Sequence, residues 1–229
     1  MRYIKILFFL IFLATHLQAK AQSATYEISY GFFGAIGEAT FFKEIVDNHY
    51  TIRVSAKPYG FAKKLSGNHQ EFLTSKGIIK NQIYIPHTYT KEVKTNSKYK
   101  QNSYTFNHKQ KSIIKNGKKR HHFYLPNDLL TLYFNIHHPH YRDAKRFYAL
   151  GGATKTGKVS VRFSTSQDKT ELKKMLKLPM DKVVFVKVWQ SFFSMQLGEM
   201  MINLDKKHFP KEIYMKDAIV FGDIYAKLK

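Results

Sequence analysis

Three histidines within four residues, His137-His138-Pro139-His140, follow an earlier adjacent pair, His121-His122. Neutral imidazoles ligate Zn²⁺, Ni²⁺ or Cu²⁺. His137, His138 and His140 are therefore the candidate metal ligands, and with them the candidate centre of a metal-dependent hydrolase. The pattern lacks what a zincin requires, two histidines four residues apart on a helix with a glutamate beside the first. His138 and His140 bracket a proline, which places them on a loop. The chain has no cysteine, so disulfides, thiolate metal sites and cysteine nucleophiles are excluded. No Gly-x-Ser-x-Gly elbow exists to single out a serine for Ser–His chemistry. Carboxylates are scarce, 16 against 38 lysines and arginines, and several sit at turns or caps, such as Asp47, Asp128, Asp168 and Asp205. Glu38 lies in an apolar stretch, where it is expected to be solvated on an outer strand face or paired, since burial alone would raise its pKa. No cofactor is expected.

A second chemical question is posed by residues 30–42, YGFFGAIGEATFF. Its spacing, G-x-x-G-x-x-G, matches neither the dinucleotide fingerprint nor the P-loop. Thr40-Phe41-Phe42 favours strand, so the glycines are expected to form a turn or bulge where one strand bends and the next begins. A third question is posed by residues 91–120, which hold ten lysines and arginines and one acid, Glu92. Lys109, Lys111, Lys115, Lys118, Lys119 and Arg120 flank Asn116-Gly117 and are expected to cluster at a hairpin tip. With Tyr104 and Phe106 they form a candidate ligand-binding set, gripping a polyanion by charge and sugars or bases by stacking. The same lysines also suit a solvated hairpin protected from edge-to-edge aggregation. A curved sheet backed by helices offers a further possibility, a cavity for an apolar ligand lined by residues such as Phe192, Phe193, Met195, Met200 and Met201.

The ends and the charge bound the setting. Arg2 and Lys5 precede the apolar run Ile6–Ala14, and Ala19-Lys20-Ala21 has the small-x-small form of a cleavage site. Residues 1–21 read as a secretory signal peptide cleaved after Ala21, since the apolar run is about half the ~20 residues that span a bilayer. The expected product is a periplasmic protein, not integral to the membrane. Its formal net charge with the leader is +22, which favours anionic partners. In a cell envelope these are anionic or lipid-like components; nucleic acid meets the same electrostatics but is not expected as the partner of an exported chain.

The elements that must position these groups are mostly strands. Tyr26/Ile28/Tyr30, Tyr50/Ile52/Val54/Ala56, Tyr104/Phe106, Val159/Val161/Phe163 and Met200/Ile202/Leu204 alternate with polar neighbours, the period of half-buried β-structure. Val183–Val188 is apolar on both faces apart from Lys187, as a central strand would be. Asn116-Gly117 is a type I′ hairpin signal. Two helices interrupt the pattern. Residues 127–136 place Leu129, Leu132, Tyr133 and Ile136 on one stripe behind a cap at Asn127 or Asp128. Residues 168–178 start at Asp168, three residues before Glu171, and stop at Pro179. The fold class is mainly β, one domain over 22–229. It is expected to be a curved, mostly antiparallel sheet, an open or partly closed barrel or β-roll, of roughly ten to twelve strands.

The order of short motifs carries a resemblance. Ile36-Gly-Glu-Ala39, Ala56-x-Pro-x-Gly60, Ser75-Lys76-Gly77, Pro86-x-x-Tyr89, Asp128–Phe134, Ile202–Asp205, Phe209-Pro210 and Gly222–Leu228 follow one another along residues 24–228. In this the chain resembles the bacterial family called domain of unknown function 3108. The resemblance implies an exported, mostly antiparallel β-protein with a strongly curved sheet. It implies no activity and no catalytic residues. The expected function is non-enzymatic, binding a lipid-like or anionic envelope component or assisting envelope assembly. The competing readings are a metal-dependent hydrolase and a purely structural envelope protein.

Overall fold

The computed structural model describes residues 20–141, 146–151, 158–180, 182–189, 197–206, 209–219 and 222–229. Residues 1–19 of the expected signal peptide lie outside the described residues, as do Phe192, Phe193 and Met195.

The strands are β1 (Lys20–Tyr30), β2 (Ala35–Val46), β3 (His49–Pro58), β4 (Gln70–Lys80), β5 (Ile83–Lys94), β6 (Tyr99–Asn107), β7 (Ser112–Lys115), β8 (Lys119–Arg120), β9 (Phe147–Leu150), β10 (Lys158–Phe163), β11 (Lys182–Trp189), β12 (Leu197–Leu204), β13 (Pro210–Ile219) and β14 (Gly222–Leu228). Three short helices are α1 (Gly60–Leu65), α2 (Leu129–Asn135) and α3 (Lys169–Met175). All fourteen strands join one sheet, in the order β8-β7-β6-β5-β4-β3-β2-β1-β14-β13-β12-β11-β10-β9. Neighbours along the sheet are antiparallel. Two up-and-down meanders are thus joined where the first strand meets the last, with Tyr26 opposite Leu228 and Tyr30 opposite Ile224.

The mainly β class and the two helices agree with the sequence reading; the strand count exceeds it. The additional strands have weak patterns. In β4 the alternation of QEFLTSKGIIK is broken by a register shift at Lys76/Gly77, and β9 is four residues long. The type I′ expectation holds, with Asn116 at φ 52° and Gly117 at φ 70°. The glycine stretch behaves as its spacing suggested. Gly31–Phe33 make one 3₁₀ turn, Gly34 takes φ 70°, and the β1–β2 register shifts at Ile28/Ser29.

The sheet curls around α2 without closing. Leu132 and Ile136 of the helix pack into a cluster with Phe147, Val161, Val184 and Ile202 from the C-terminal meander. Leu130, on the opposite side of the helix, packs with Tyr50, Ile52, Tyr89 and Phe106 from the N-terminal meander. The free end of the sheet at β9 folds back toward this point. Leu150 donates its N–H to Asn127 O at 3.0 Å, and the Tyr89 hydroxyl donates to Gly151 O at 3.2 Å. Each fully buried leucine or isoleucine here contributes about 1.5–3 kcal/mol. α3 covers the outer face, where Leu172 and Leu176 meet Val183, Phe185 and Met201. Val183–Val186 of β11 are therefore buried on both faces, as their continuous apolar run requires.

The start of α3 differs in detail from the expected capping box. The box forms one turn earlier, between Thr165 and Asp168. Asp168 turns back to accept from Arg162 at 2.8 and 3.1 Å instead of capping forward.

Candidate functional site

The residues singled out for chemistry do not converge as their spacing suggested. His138 Nδ1 accepts the His140 backbone N–H at 3.2 Å, and His140 is exposed. His137 is half-buried, with Nδ1 accepting from the Lys182 ammonium at 3.1 Å. Among the described residues no group of three or more His, Cys, Asp or Glu side chains gathers to hold a metal. The basic set is also divided. Lys109 and Lys111 lie in the β6–β7 turn, whereas Lys118 and Arg120 surround the β7–β8 turn. A four-residue strand separates these turns, about 13 Å at ordinary β rise. The expected single tip is therefore two tips, because Asn107–Lys111 forms a turn of its own. Lys119 falls on β8 beside the second. Lys115 lies over the Tyr104 ring, 5.7 Å from its centre. Tyr104 and Phe106 are 2% and 6% exposed and belong to the core, so neither ring face is offered to a ligand on the surface.

A buried polar network holds α2 in place. Asp128 caps the helix, its Oδ1 accepting the N–H groups of Leu130 and Thr131 at 2.9 Å. Its other oxygen accepts from the Ser75 hydroxyl at 2.6 Å, and the Tyr50 hydroxyl lies 3.2 Å from Ser75 Oγ. Burial pushes the Asp128 carboxyl up to about 6, against the hydrogen bonds that favour its ionised form. Gly77 makes the approach possible. A Cβ there would lie 2.0 Å from Ile85 O and 2.8 Å from the Tyr50 hydroxyl. At the other end of the helix the Asn135 side chain takes the part of a missing strand. Its amide accepts from Tyr84 N–H and donates to Tyr84 O, both at 2.8 Å. The β5–β6 ladder begins only at Thr88, so Tyr84 has no strand on that side. Ser75, Asp128 and Asn135 are 0% exposed. This network presents nothing to a substrate and serves as an anchor.

The quoted Ser75-x-Gly77, Pro86-x-x-Tyr89 and Asp128 motifs thus meet around one helix. Residues 25–133 match the family model described as protein of unknown function (DUF3108). The DUF3108 match runs from β1 into α2. The motifs from Ile202 onward, which also suggested the resemblance, lie beyond it. No curated protein and no solved structure matches the chain. Within the matched region Ser75, Gly77 and Asp128 belong to the clamp that holds the helix inside the sheet.

What the clamp leaves open is a cavity of about 240 Å³ between α2 and the sheet. Tyr26, Phe41, Val54, Leu130, Val184 and Ile202 are among its walls, which come from both meanders and the helix. The Tyr26 hydroxyl donates to Pro210 O, another wall residue, at 3.0 Å, and burial with the nearby Asp205 charge pushes its pKa up to about 12. Met200 of the sequence proposal lines the cavity, while Met201 packs under α3 on the outer face.

Beside the cavity lies a polar recess of about 220 Å³, lined by Gln22, Lys43, Tyr133, Phe134, His137, Asp205 and Phe209. An aromatic wall joins the two spaces. Phe41 of the cavity packs edge-on to Phe209 at 5.3 Å and against Phe134 at 6.0 Å, and Tyr133 borders both. Lys43 is half-buried over the Phe134 ring, 4.7 Å from its centre. Its ammonium has no carboxylate or hydrogen-bond partner among the described residues. Burial pulls its pKa down. Lys182, held by His137 and lying 4.5 Å from the Phe163 ring centre, is lowered for the same reason. Lys43, His137 and the Asp205 carboxylate thus line this recess, with the Lys182 ammonium behind His137. Lys43 was missed in the sequence, although its signal was present. It shares strand parity with Ala39, Phe41 and Ile45, the inward residues of β2.

Proposed function

We propose that the protein is an exported, non-enzymatic binder of a lipid-like amphiphile with an anionic head, the tail occupying the cavity and the head the recess. The observation that carries this reading is the apolar cavity of about 240 Å³ ending beside the half-buried Lys43, whose ammonium has no ion-pair or hydrogen-bond partner among the described residues. An apolar cavity of about 150 Å³ takes benzene, so by proportion this one takes about ten carbons. At about 0.8 kcal/mol per buried methylene, less at least about 4 kcal/mol for association, the tail alone gives a dissociation constant near 1 mM. A charge-assisted contact at the recess improves this by about tenfold. The apolar run and cleavage triplet at the N-terminus support export.

The test is titration calorimetry of the purified protein with decanoate, with Ala39→Phe as the filled-cavity variant. Wild type is expected to take one equivalent and the variant none. The reading fails if wild type takes none, or if Ala39→Phe, folded by circular dichroism, binds equally well.

A further inference from the structure

At one end of the sheet four large apolar side chains face water. Phe32 is 84% exposed, Leu65 72%, Phe61 56% and Phe33 48%. They come from two separate turns, the 3₁₀ turn between β1 and β2 and the helix α1 that follows β3. The turns are tied together, since Tyr59 donates its N–H to Ile36 O at 2.9 Å. The rings form an ordered stack. Phe32 lies 4.2 Å from Phe33, and Phe33 stacks on Tyr30 and on Phe61 at 5.7 Å in each case. Gly31, Gly34 and Gly60, at φ 45°, 70° and 53°, supply backbone conformations that other residues rarely adopt. The geometry is thus built to hold aromatic rings out in solvent, where hydrophobic exposure is unfavourable unless a partner covers it.

The surrounding charge selects the partner. Segments 30–36 and 57–66 contain Lys57, Lys63 and Lys64 and no acid. Lys63 and Lys64 lie in the last turn of α1, and all three lysines are exposed. The nearest acid along β2, Glu38, is already engaged by the Lys229 ammonium at 3.4 Å. Lysine is depleted at protein–protein contacts but favourable beside anionic lipid, where each one near the surface adds attraction. Apolar rings projecting from a lysine-ringed tip match the headgroup–acyl boundary of a bilayer, in which such side chains bury to ~5–10 Å.

We propose that the Phe32/Phe33/Phe61/Leu65 tip docks the protein onto the surface of an anionic bilayer, the rings entering the boundary and Lys57, Lys63 and Lys64 meeting the headgroups. This is peripheral contact, and no described helix is long and apolar enough to cross a membrane. β2 connects the tip to the candidate site. It starts at Ala35 in the tip, passes the cavity at Ala39–Phe41 and reaches the recess at Lys43. That path is about 26 Å at ordinary β rise, so the docked tip keeps the cationic recess away from the bilayer. The tip proposal stands whether or not the cavity binds an amphiphile.

The experiment is co-sedimentation with vesicles of phosphatidylcholine and phosphatidylglycerol in equal parts, and with phosphatidylcholine alone, at low salt. Wild type is expected to bind the anionic vesicles about tenfold or more tightly than the neutral ones. Phe32→Ser/Phe33→Ser and Lys63→Glu/Lys64→Glu are each expected to lose about tenfold. Phe32→Trp reports insertion by a blue shift of the added emission on anionic vesicles. Absence of sedimentation overturns the proposal. So does sedimentation without a shift at Phe32→Trp, which would mean attraction by net charge through another face. A concentration-dependent dimer abolished by Phe32→Ser would assign the tip to self-association instead and equally overturn it.

Discussion

At the scale of single residues, the most informative group is Asp128, a carboxylate with no exposure and no cation among its hydrogen-bond partners. Its folded pKa is about 6 against an ordinary 3.8. Between these values the folded protein holds a proton that the unfolded chain releases. Stability from this group therefore falls as pH rises from about 4 to about 6, with a slope of at most about 1.4 kcal/mol per pH unit, and is level above that window. Asp128→Asn keeps an oxygen for the helix cap and an amide for Ser75, and should remove that slope; denaturant titrations at pH 4, 5, 6 and 7 (each roughly one unit apart, as linkage requires) measure it. Asp128→Ala should cost about 2 kcal/mol at neutral pH, because the cap is lost and Ser75 has no acceptor. Lys43 gives the corresponding test of recognition. Its ammonium is expected to make decanoate bind about tenfold better than decanol, and Lys43→Gln should erase the difference while leaving decanol unchanged. Equal affinities for acid and alcohol in wild type would remove Lys43 from recognition but leave the tail cavity standing.

At the scale of elements, two side chains substitute for backbone. Asn135 pairs with both backbone groups of Tyr84 where β5 lacks a neighbour. Asn135→Leu should cost about 2 kcal/mol or more by stranding those groups, a loss that urea unfolding would register as a lower midpoint. Glu212, fully buried on β13, accepts from Lys177 N–H, Leu178 N–H, the Asn203 amide and the Tyr225 hydroxyl at 2.8–3.1 Å. It thereby fixes the chain leaving α3 to the sheet. Glu212→Gln turns part of an all-acceptor group into a donor facing donors and should cost about 1–3 kcal/mol in the same measurement. The strands themselves were legible, because period-two alternation reports a face directly, as at Tyr50/Ile52/Val54 and Val159/Val161/Phe163. The turn chemistry of Asn116-Gly117 and Gly31–Gly34 was legible for the same local reason. What was not legible depends on pairs far apart in the chain. No local pattern places Asn135 beside Tyr84, or joins Phe32 and Phe61 in one stack. The basic block forms two tips and not one because a turn at 108–111 separates Lys109 and Lys111 from Lys118 and Arg120.

At the scale of the whole molecule, the two meanders meet through α2 and around the cavity, so their stability should depend on what occupies it. Besides the β1–β14 ladder and direct contacts such as Tyr89 to Gly151 O and Phe41 to Phe209, they meet through the helix, with Leu130 packed on one side and Leu132 and Ile136 on the other. A void between them lacks the dispersion contacts a filled core has. An amphiphile that binds only the folded state restores those contacts and adds RT ln(1 + [L]/Kd), about 1.4 kcal/mol at tenfold excess over Kd. For a chain of this size that corresponds to a rise in Tm of about 3–6 °C. Differential scanning calorimetry with decanoate should show this rise in wild type and none in Ala39→Phe. The comparison with Lys43→Gln separates the two parts of the site, since that variant should retain the rise with decanol and lose most of the advantage of decanoate. A rise of equal size in Ala39→Phe would place the stabilising contact outside the cavity, because a phenyl group takes about 150 Å³ of the void and leaves space for only about four of the ten tail carbons.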